Sequence, residues 1–536
     1  MKKINKSVPV RITSAAEMKE LDAIAANEYG IEANLLMENA GRAAVQVLFD
    51  HYPTAGSESE ILIFAGKGNN AGDSFVVARR LICLERNVRI FHLVDESEYH
   101  GATKANFEIL KKMKARLINL EDSGVLENFF STSNGPFIAI DGMLGTGLRG
   151  SVSGIYHDVI GMINKNDNVK TTVALDIPSG VSGDTGSIHN ISIDSDLTIS
   201  FGFPKLGHFL APGAAHRGRL VNVDISLPPE FRRKGDKFLL IKKPMSDLLM
   251  RRDKYGHKNS FGHTLAIGGR PGRLGAVCMA ARASLKMGSG LVTVATWEEG
   301  FNTLIMKIPD EVMAVPIKVD GSVDYSHYMS EFSSIVVGPG LGRRPDSKKV
   351  LEEVLSKYSG PVVLDADALN VVSKYQMHSI IADRRAPTIL TPHPGEMARL
   401  LNISKQDVLA DPIGSLKKAV DLTFSVVLLK GAATLMSSPD HKIYLNHYPN
   451  DGMATAGSGD VLAGMIAGLV GQNMNPFEAT QLGVFLHSLS GAFAAEQYSH
   501  RAMTATSIID NISNAIKEIK TPQESQFPEE AKAILF

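Results

Sequence analysis

The densest chemistry in the chain lies in Asn450-Asp-Gly-Met-Ala-Thr-Ala-Gly-Ser-Gly-Asp-Val-Leu-Ala-Gly464. Ala456-Gly-Ser-Gly459 can turn several backbone N–H groups toward one point at the start of a helical run, Asp460–Val470, and such a turn is an anion hole. Asp460 stands beside it. A carboxylate repels phosphate unless it has work there, and the work that fits is taking a proton from an attacking hydroxyl. The plainer role is electrostatic capping of the helix. Other segments converge on phosphate. Lys430, Gly431, Ala432, Ala433 and Thr434 follow an apolar strand and offer a cation, a flexible turn and a hydroxyl. Val337-Gly-Pro-Gly-Leu-Gly342 is a second glycine turn, and Asp365-Ala-Asp-Ala-Leu-Asn370 and Thr391-Pro-His-Pro-Gly-Glu396 end two further strands. His393, pinned between prolines, reads as a ligand contact, with a surface loop as the alternative. Asp365 and Glu396 can bind Mg2+ directly or through water. No Gly-x-x-x-x-Gly-Lys-Ser/Thr occurs, so P-loop chemistry is excluded.

A second concentration of polar groups opens with Gly66-Lys-Gly-Asn-Asn-Ala-Gly-Asp73. Gly66-x-Gly68-x-x-Ala71 fits the loose dinucleotide fingerprint, with Asp95 where a ribose-binding acid would stand. Yet Asn69, Asn70 and Asp73 fill the turn with side-chain oxygens, and Asp73 would repel a pyrophosphate. A Rossmann redox site and a bare tight turn both remain alternatives. Ala139-Ile-Asp141 and Ala174-Leu-Asp176 lead into Gly142-Met-Leu-Gly-Thr-Gly-Leu-Arg-Gly150 and Ile177-Pro-Ser-Gly180. One Asp after a strand usually caps the next helix. Three strand ends carrying Asn70, Asp141 and Asp176 with Ser179 suit a hard cation or a carboxylate acid/base, and Arg149, among glycines, can hold a phosphate.

These residues need a scaffold that ends many strands at one edge. Short apolar runs at Ile61–Ala65, Val88–Val94, Phe137–Ile140 and Thr171–Leu175 predict a parallel sheet covered on both faces. The second half repeats the style at Thr264–Ile267, Leu291–Ala295, Ser334–Val337, Pro361–Leu364, Thr388–Leu390 and Ser425–Leu429. In such sheets ligands sit beyond the carboxyl ends of the strands. The charged, proline-containing stretch Leu227–Asp236 reads as the join. The expected division is therefore 1–226, a linker at 227–239, and 240–536, both halves α/β. The 536 residues are 44% hydrophobic and 21% charged, with 56 Lys+Arg against 57 Asp+Glu. That balance gives no electrostatic case for nucleic acid or an anionic membrane. Two cysteines, Cys83 and Cys278, exclude a disulfide framework and point to a reducing cytoplasm. No apolar run follows Lys2, Lys3 and Lys6 as a signal peptide requires. Val461–Gly471 is too short to span a bilayer and reads as a packed core helix.

Thr13-Ser-Ala-Ala-Glu-Met-Lys19, Leu36-Met-Glu-Asn-Ala-Gly-Arg-Ala43, Gly68-Asn-Asn-Ala-Gly-Asp73, Asp141-Gly-Met-Leu-Gly-Thr-Gly147 and Leu175-Asp-Ile-Pro-Ser-Gly-Val181 together resemble the NAD(P)H-hydrate epimerase family. The resemblance implies a Rossmann-like three-layer domain. It implies that Asn69, Asn70, Ala71, Gly72 and Asp73 embrace the substrate with Gly145, Thr146, Gly147, Leu148, Arg149, Gly150 and Ser151. It also puts Asp176 at the reacting centre and K+ on Asn70, Asp141 and Ser179. Ala71 and Ser74 replace two glycines of the family's usual turn, which would strain the backbone if either position needs a positive φ.

Gly-Ser-Gly-Asp after a strand pair is typical of the ribokinase-like fold. Gly268-Gly269 with Gly275-Ala276, Val337–Gly342, Leu364–Asn370, Thr391–Leu400, Leu429–Thr434 and Gly452–Gly464 resemble the ADP-dependent NAD(P)H-hydrate dehydratases. That resemblance assigns Ala276, Gly340, His393 and Asp460 to the hydrated substrate, and Lys430–Thr434 with Gly459 to the adenine nucleotide, with Mg2+ and ADP as phosphoryl donor. Arg270 replaces the usual Ser, and Asp451 a proline. An epimerase fused to a dehydratase resembles the bifunctional NAD(P)H-hydrate repair family, and implies NADHX and NADPHX as substrates and a homo-oligomer. Two other readings stay open: a ribokinase-like small-molecule kinase, and an N-terminal half that is a non-catalytic binding module.

Overall fold

The computed structural model describes residues 10–318, 329–520 and 534–535. It divides into two units, one built from 11–235 with the short strand Ile534–Leu535, the other starting at Asp236. Both are α/β, as expected. The division falls inside the expected linker. Pro229–Arg232 is a short 3-10 turn whose Phe231 is buried in the first unit's core, whereas Lys237–Leu239 is a strand of the second unit's sheet. The last described residues also depart from the expected 240–536 domain, because Ile534–Leu535 pairs with Leu220–Val221.

The described strands of the N-terminal unit's sheet all pair in parallel, in the order 534–535, 219–223, 197–201, 169–175, 137–142, 60–65, 88–92, 117–119. The strand Glu60–Ala65 lies beside Phe137–Gly142, and the chain winds outward from that pair in both directions. The crevice at such a reversal is where open α/β sheets bind ligands. Both faces are covered, which is why the strands read as unbroken apolar runs: Ile61 to Ala65 are all inaccessible to solvent. The helix Ala15–Tyr29 opens with a capping box in which Ser14 and Glu17 satisfy each other's backbone N–H groups. It carries Asp22.

The C-terminal unit's sheet runs 237–239, 443–447, 433–437, 426–429, 388–390, 362–364, 334–337, 263–267, 291–297, 312–317. It is parallel from Val426–Leu429 to Val312–Ile317, and Ala433–Ser437 is antiparallel to both of its neighbours. The reversal here falls between His263–Ile267 and Ser334–Val337, each followed by a glycine turn. The helix Ser458–Val470 is buried from Val461 to Val470. A helix apolar all round needs partners all round, and it has Leu274–Lys286 on one side and Pro476–Tyr498 on another. It is the core helix the sequence predicts. No helix among the described residues is long and apolar enough to cross a membrane, and both cysteines are free.

Candidate active sites

At the carboxyl edge of the C-terminal sheet a single ammonium gathers the acidic groups. Asp365, directly after Val362–Leu364, is 1% exposed and accepts hydrogen bonds at Oδ1 from Lys430 Nζ (2.7 Å) and Thr391 Oγ1 (2.7 Å). Lys430 is placed by its own strand end, its N–H donating to Pro392 O at 2.9 Å. A Cβ on Gly459 would lie 3.0 Å from Lys430 Nζ, so the ammonium rests against the first turn of Ser458–Val470. The first N–H groups of that turn have no intrahelical acceptor. Gly457 before it sits at φ +94°, a conformation that favours glycine. Asp460 is on the same turn. Burial pushes its carboxyl up to about 7, Asp365, Glu396 and Asp367 add to the push, and Lys430 opposes it. Glu396 is likewise pushed up to about 7 by burial against the pull of Lys430. Burial pulls Lys430 down, but Asp365, Glu396 and Asp460 outweigh it and its pKa is raised. The cluster therefore holds its charge and retains protons near neutrality.

His393 caps the helix Pro394–Leu401. Its Nδ1 accepts from Gly395 N (2.9 Å) and Glu396 N (3.3 Å), which leaves Nε2 as the donor of the neutral ring. Burial and the nearby Lys430 and Arg399 lower its pKa. Half of its side chain is exposed, and it lies close enough to Lys430 to feel its charge. Among the described residues no three His, Cys, Asp or Glu side chains are set to hold a metal ion. Asp365 and Glu396 are the carboxylates at this edge, and Mg2+ in nucleotide sites commonly takes one or two carboxylates plus phosphate oxygens; the pair fits that lesser role.

The N-terminal unit repeats the motif with a different lysine. Asp176, immediately after Val169–Leu175, takes φ +61°, a strained setting for a non-glycine residue and one that clusters at functional sites. Lys205, 1% exposed, pairs its Nζ with Asp176 Oδ1 and donates to Phe201 O at 3.0 Å. His208 accepts the Lys205 N–H at Nδ1 (3.0 Å), so its Nε2–H donates to Asp176 O (2.8 Å) and holds the strained peptide. Burial keeps His208 neutral, with Lys205 and Arg217 adding to the effect. Two further carboxylates face the pair. Burial raises Asp22 to about 6, and Asp73 is raised well above its ordinary value by burial, then by Asp176 and Asp22. Asp22 Oδ1 is buried with no hydrogen-bond partner.

Asp141, fully buried, accepts from Ser179 N (2.7 Å), Ser179 Oγ (2.6 Å) and Met143 N (3.1 Å), and burial lifts its carboxyl to about 6. Asn70 Nδ2 donates to Leu144 O at 3.0 Å, while its Oδ1 is buried and unpartnered. Unpaired buried oxygens are rare, and one beside a buried carboxylate is a donor set suited to a hard cation.

Asn69–Asp73, read above as a turn, form the first turn of the helix Asn69–Cys83. Neither Ala71 nor Ser74 has positive φ. Both are buried, and Ser74 Oγ bonds back to Ala71 O at 2.7 Å, so their departure from glycine brings no backbone strain. Gly145 approaches Asn70, while Gly147, Arg149, Gly150 and Ser151 are exposed. In the other unit Gly431 and Ala432 are exposed, and the expected flexible turn is shorter than read, since Ala433 and Thr434 already belong to Ala433–Ser437. Ala276 N donates to Arg273 O at 3.3 Å and Gly340 O accepts from Arg270 N at 2.8 Å, so both flank one loop. Arg270 is buried, lies 3.9 Å over the Trp297 ring, and pairs with Asp346 at 2.5 Å. Asp451 pairs with His500 at the surface. Sequence reasoning missed Lys205, His208 and Asp22. The first two follow the apolar run Leu197–Phe201 and were within reach of the strand-end rule; Asp22 carries no local signal.

Two lysine–carboxylate centres at the carboxyl edges of two sheets define a two-site α/β enzyme. The family described as NAD(P)H-hydrate dehydratase matches residues 264–514, and that described as YjeF-related protein N-terminus matches residues 33–207. The chain is 38% identical over 523 residues to the bifunctional NAD(P)H-hydrate repair enzyme Nnr of Moorella thermoacetica, covering 96% of this chain and 98% of that one. To the enzyme of the same name from Escherichia coli K12 it is 31% identical over 519 residues, covering 96% of each. Among solved structures, the ADP/ATP-dependent NAD(P)H-hydrate dehydratase from Bacillus subtilis, co-crystallized with ATP/Mg2+, is 25% identical and covers 52% of this chain and 97% of that one, with a TM-score of 0.46. The chain belongs to the family of bifunctional NAD(P)H-hydrate repair enzymes.

Proposed function

We propose that the C-terminal unit restores NADH and NADPH from their S hydrates at the expense of ADP, and that the N-terminal unit interconverts the R and S hydrates. The hydrate carries a hydroxyl on the reduced nicotinamide ring. Asp460 takes the proton of that hydroxyl as its oxygen attacks the terminal phosphorus of ADP, and AMP leaves. Hydroxide is a poor leaving group and phosphate a good one, so loss of phosphate with a ring proton restores the double bond. Lys430 and the free N–H groups around Gly459 hold the transferring phosphoryl, with Lys430–Thr434 along the nucleotide. His393 donates from Nε2 to the hydrate beside Ala276 and Gly340. Mg2+ on Asp365 and Glu396 would neutralise phosphate charge.

In the N-terminal unit Asp176 is the acid/base at the reacting carbon. Its strained peptide is fixed by His208 and its charge by Lys205. Asn69–Asp73 and Gly145–Ser151 enclose the substrate. Asn70, Asp141 and Ser179 would hold K+, which would supply a fixed positive charge to the site; the unpartnered Asn70 Oδ1 supports this.

The observation that carries the reading is the Asp460 carboxyl. It stands in the first turn of a helix against Lys430, with its pKa raised to about 7, matched to accepting a proton near neutral pH. The test is a mixed-epimer NADH hydrate incubated with excess ADP. Complete recovery of NADH absorbance, with one AMP and one phosphate per NADH, is expected. Release of a stable phosphorylated dinucleotide, or an Asp460→Asn variant retaining more than a tenth of the rate, would overturn it.

A further inference from the structure

The loop carrying Gly340 is flanked by a pair of arginines that the proposed chemistry does not use. Arg273 Nη1 lies 3.3 Å from Asp367 Oδ2, and Arg343 Nε lies 2.8 Å from Asp367 Oδ1. The acid's side chain is 8% exposed, whereas those of Arg273 and Arg343 are 64% and 53% exposed. The carboxylate thus anchors two guanidinium groups from below. Each spends one N–H on it, and each has five. Held apart from Asp367, two such cations would repel one another; on it they are set side by side with free donors toward solvent.

Their backbone is equally fixed. Arg273 is the residue before the helix Leu274–Lys286, and its O accepts from Ala276 N at 3.3 Å. A Cβ on Gly340 would fall 2.5 Å from that same Arg273 O, and Gly340 has φ +65°, so only glycine lets the two loops close this tightly. Gly342 N donates to Asp367 Oδ2 at 3.0 Å, which ties the acid to the loop as well. Arg344 follows Arg343 in the chain and is exposed, and Arg270 pairs with Asp346. With Arg270 spent on Asp346 beneath the loop, the exposed side chains of Arg273, Arg343 and Arg344, set against the largely buried Asp367, leave this rim cationic. Asp367 also contributes to the upward push on the Asp460 carboxyl, which puts the rim within electrostatic reach of the proposed base.

We infer that Arg273 and Arg343, aligned by Asp367, bind the pyrophosphate of the hydrated dinucleotide. The inference rests on the reading of Ala276 and Gly340 as substrate-binding. Paired guanidinium forks match adjacent phosphate oxygens two by two, which lysines at the same places do not. The site is distinct from the Lys430–Gly459 cradle, which the proposed function gives to the phosphates of ADP. Holding the pyrophosphate at the rim leaves the nicotinamide end of the substrate to reach Asp460.

The test compares two substrates on the full-length enzyme: the hydrate of NADH, and the hydrate of reduced nicotinamide mononucleotide, which lacks the pyrophosphate bridge. With ADP saturating, the variant Arg273→Gln/Arg343→Gln is expected to lose about 30-fold or more in kcat/KM for the NADH hydrate, mostly through KM. For the mononucleotide hydrate the loss is expected to stay within about 3-fold, because truncated substrate and truncated side chains remove the same contact. Arg343→Gln alone, at an exposed side chain, gives the same comparison should the double variant fail to fold. Equal losses on both substrates would mean that the arginines only shape the Gly340 loop, and no loss on either would mean that they do nothing for this substrate; both overturn the inference. If the wild-type enzyme restored the reduced nicotinamide ring of neither hydrate, the proposed function would fall and take this site with it.

Discussion

Replacing Lys430 with Gln tests the electrostatics of the dehydratase centre directly. The ammonium is 2.7 Å from Asp365 Oδ1 and stabilises the charged forms of Asp365, Glu396 and Asp460. Unit charges about 5–6 Å apart interact by roughly 3 kcal/mol at an effective dielectric of about 20, which is about 2 pKa units. Relaxation and entering water reduce that, so a rise of about 1–1.5 units in the Asp460 pKa is expected, from about 7 to above 8. The proposed base must be ionised to act. The acidic limb of kcat/KM for the hydrate, followed at saturating ADP by NADH absorbance, should therefore move to higher pH by about one unit or more. At pH 7 the ionised fraction falls from about half to below a tenth, giving a loss of about 5–15-fold that is recovered toward pH 9. A weaker hold on ADP would appear separately as a higher KM for the nucleotide. Because Glu396 titrates in the same range, the limb belongs to the cluster and not to one group. A variant with a lower plateau but an unmoved limb would refute the argument: Lys430 would then bind phosphate without tuning the base.

Three further outcomes follow from the same geometry. Asp460→Asn should gain stability as it loses activity. The folded pKa of Asp460, about 7, lies above its ordinary 3.8, so the favourable protonated form is fully present below pH 4 and is lost as pH rises through 7. The variant should then be more stable than wild type in urea at pH 8, by about 1–3 kcal/mol, and equal to it near pH 4; a less stable variant at pH 8 would make Asp460 a structural group. Lys205→Met strands Asp176, Asp22 and Asp73 without their cation, and should cut epimerisation by about 100-fold or more while ADP-dependent recovery from mixed epimers halts near one half. Complete recovery at the wild-type rate would remove Lys205 from the site. Replacing K+ by a large organic cation should slow epimerisation and leave dehydration of the S hydrate intact, and Asn70→Ala should abolish the difference between the two salts; a K+ response that survives Asn70→Ala would place the ion elsewhere.

The fold class was legible because both sheets are buried on both faces, so their central strands are apolar runs that periodicity alone exposes. Glycine turns after Ile61–Ala65 and Ser334–Val337 were legible for a related reason, since they mark strands that end at the crevice. What escaped depended on contacts between distant segments. Asn and Gly are poor helix formers, so Asn69–Asp73 read as a turn; packing of Ala71 and Ser74 into the core makes it helix. Ala433–Ser437 and Ile443–His447 are short and mixed in polarity, and only their antiparallel pairing defines them. Lys205, one of the most buried charges in the chain, follows a strand that was not read, and Asp22 arrives from a helix whose sequence announces only its cap. Arg270 departed from a family pattern for a reason no motif states: its guanidinium fills a space between Trp297 and Asp346 under the Gly340 loop.

The two centres share a logic deeper than their folds. Each sets one buried or half-buried lysine among three carboxylates, Lys205 with Asp176, Asp22 and Asp73, Lys430 with Asp365, Asp460 and Glu396. One ammonium cannot balance three ionised acids at low dielectric, so such a cluster must keep at least one proton at neutral pH or recruit a cation. A retained proton that sits beside an ionised carboxylate is an acid and a base in one place. That is what reversible inversion at a carbon requires, and it is also what transfer to an alcohol followed by elimination requires. The difference lies in what borders the cluster: a buried amide and carboxylate suited to a monovalent cation in one unit, and the open end of a helix suited to a phosphoryl group in the other. The lysine fixes where charge is allowed, and the neighbouring backbone decides which reaction can use it.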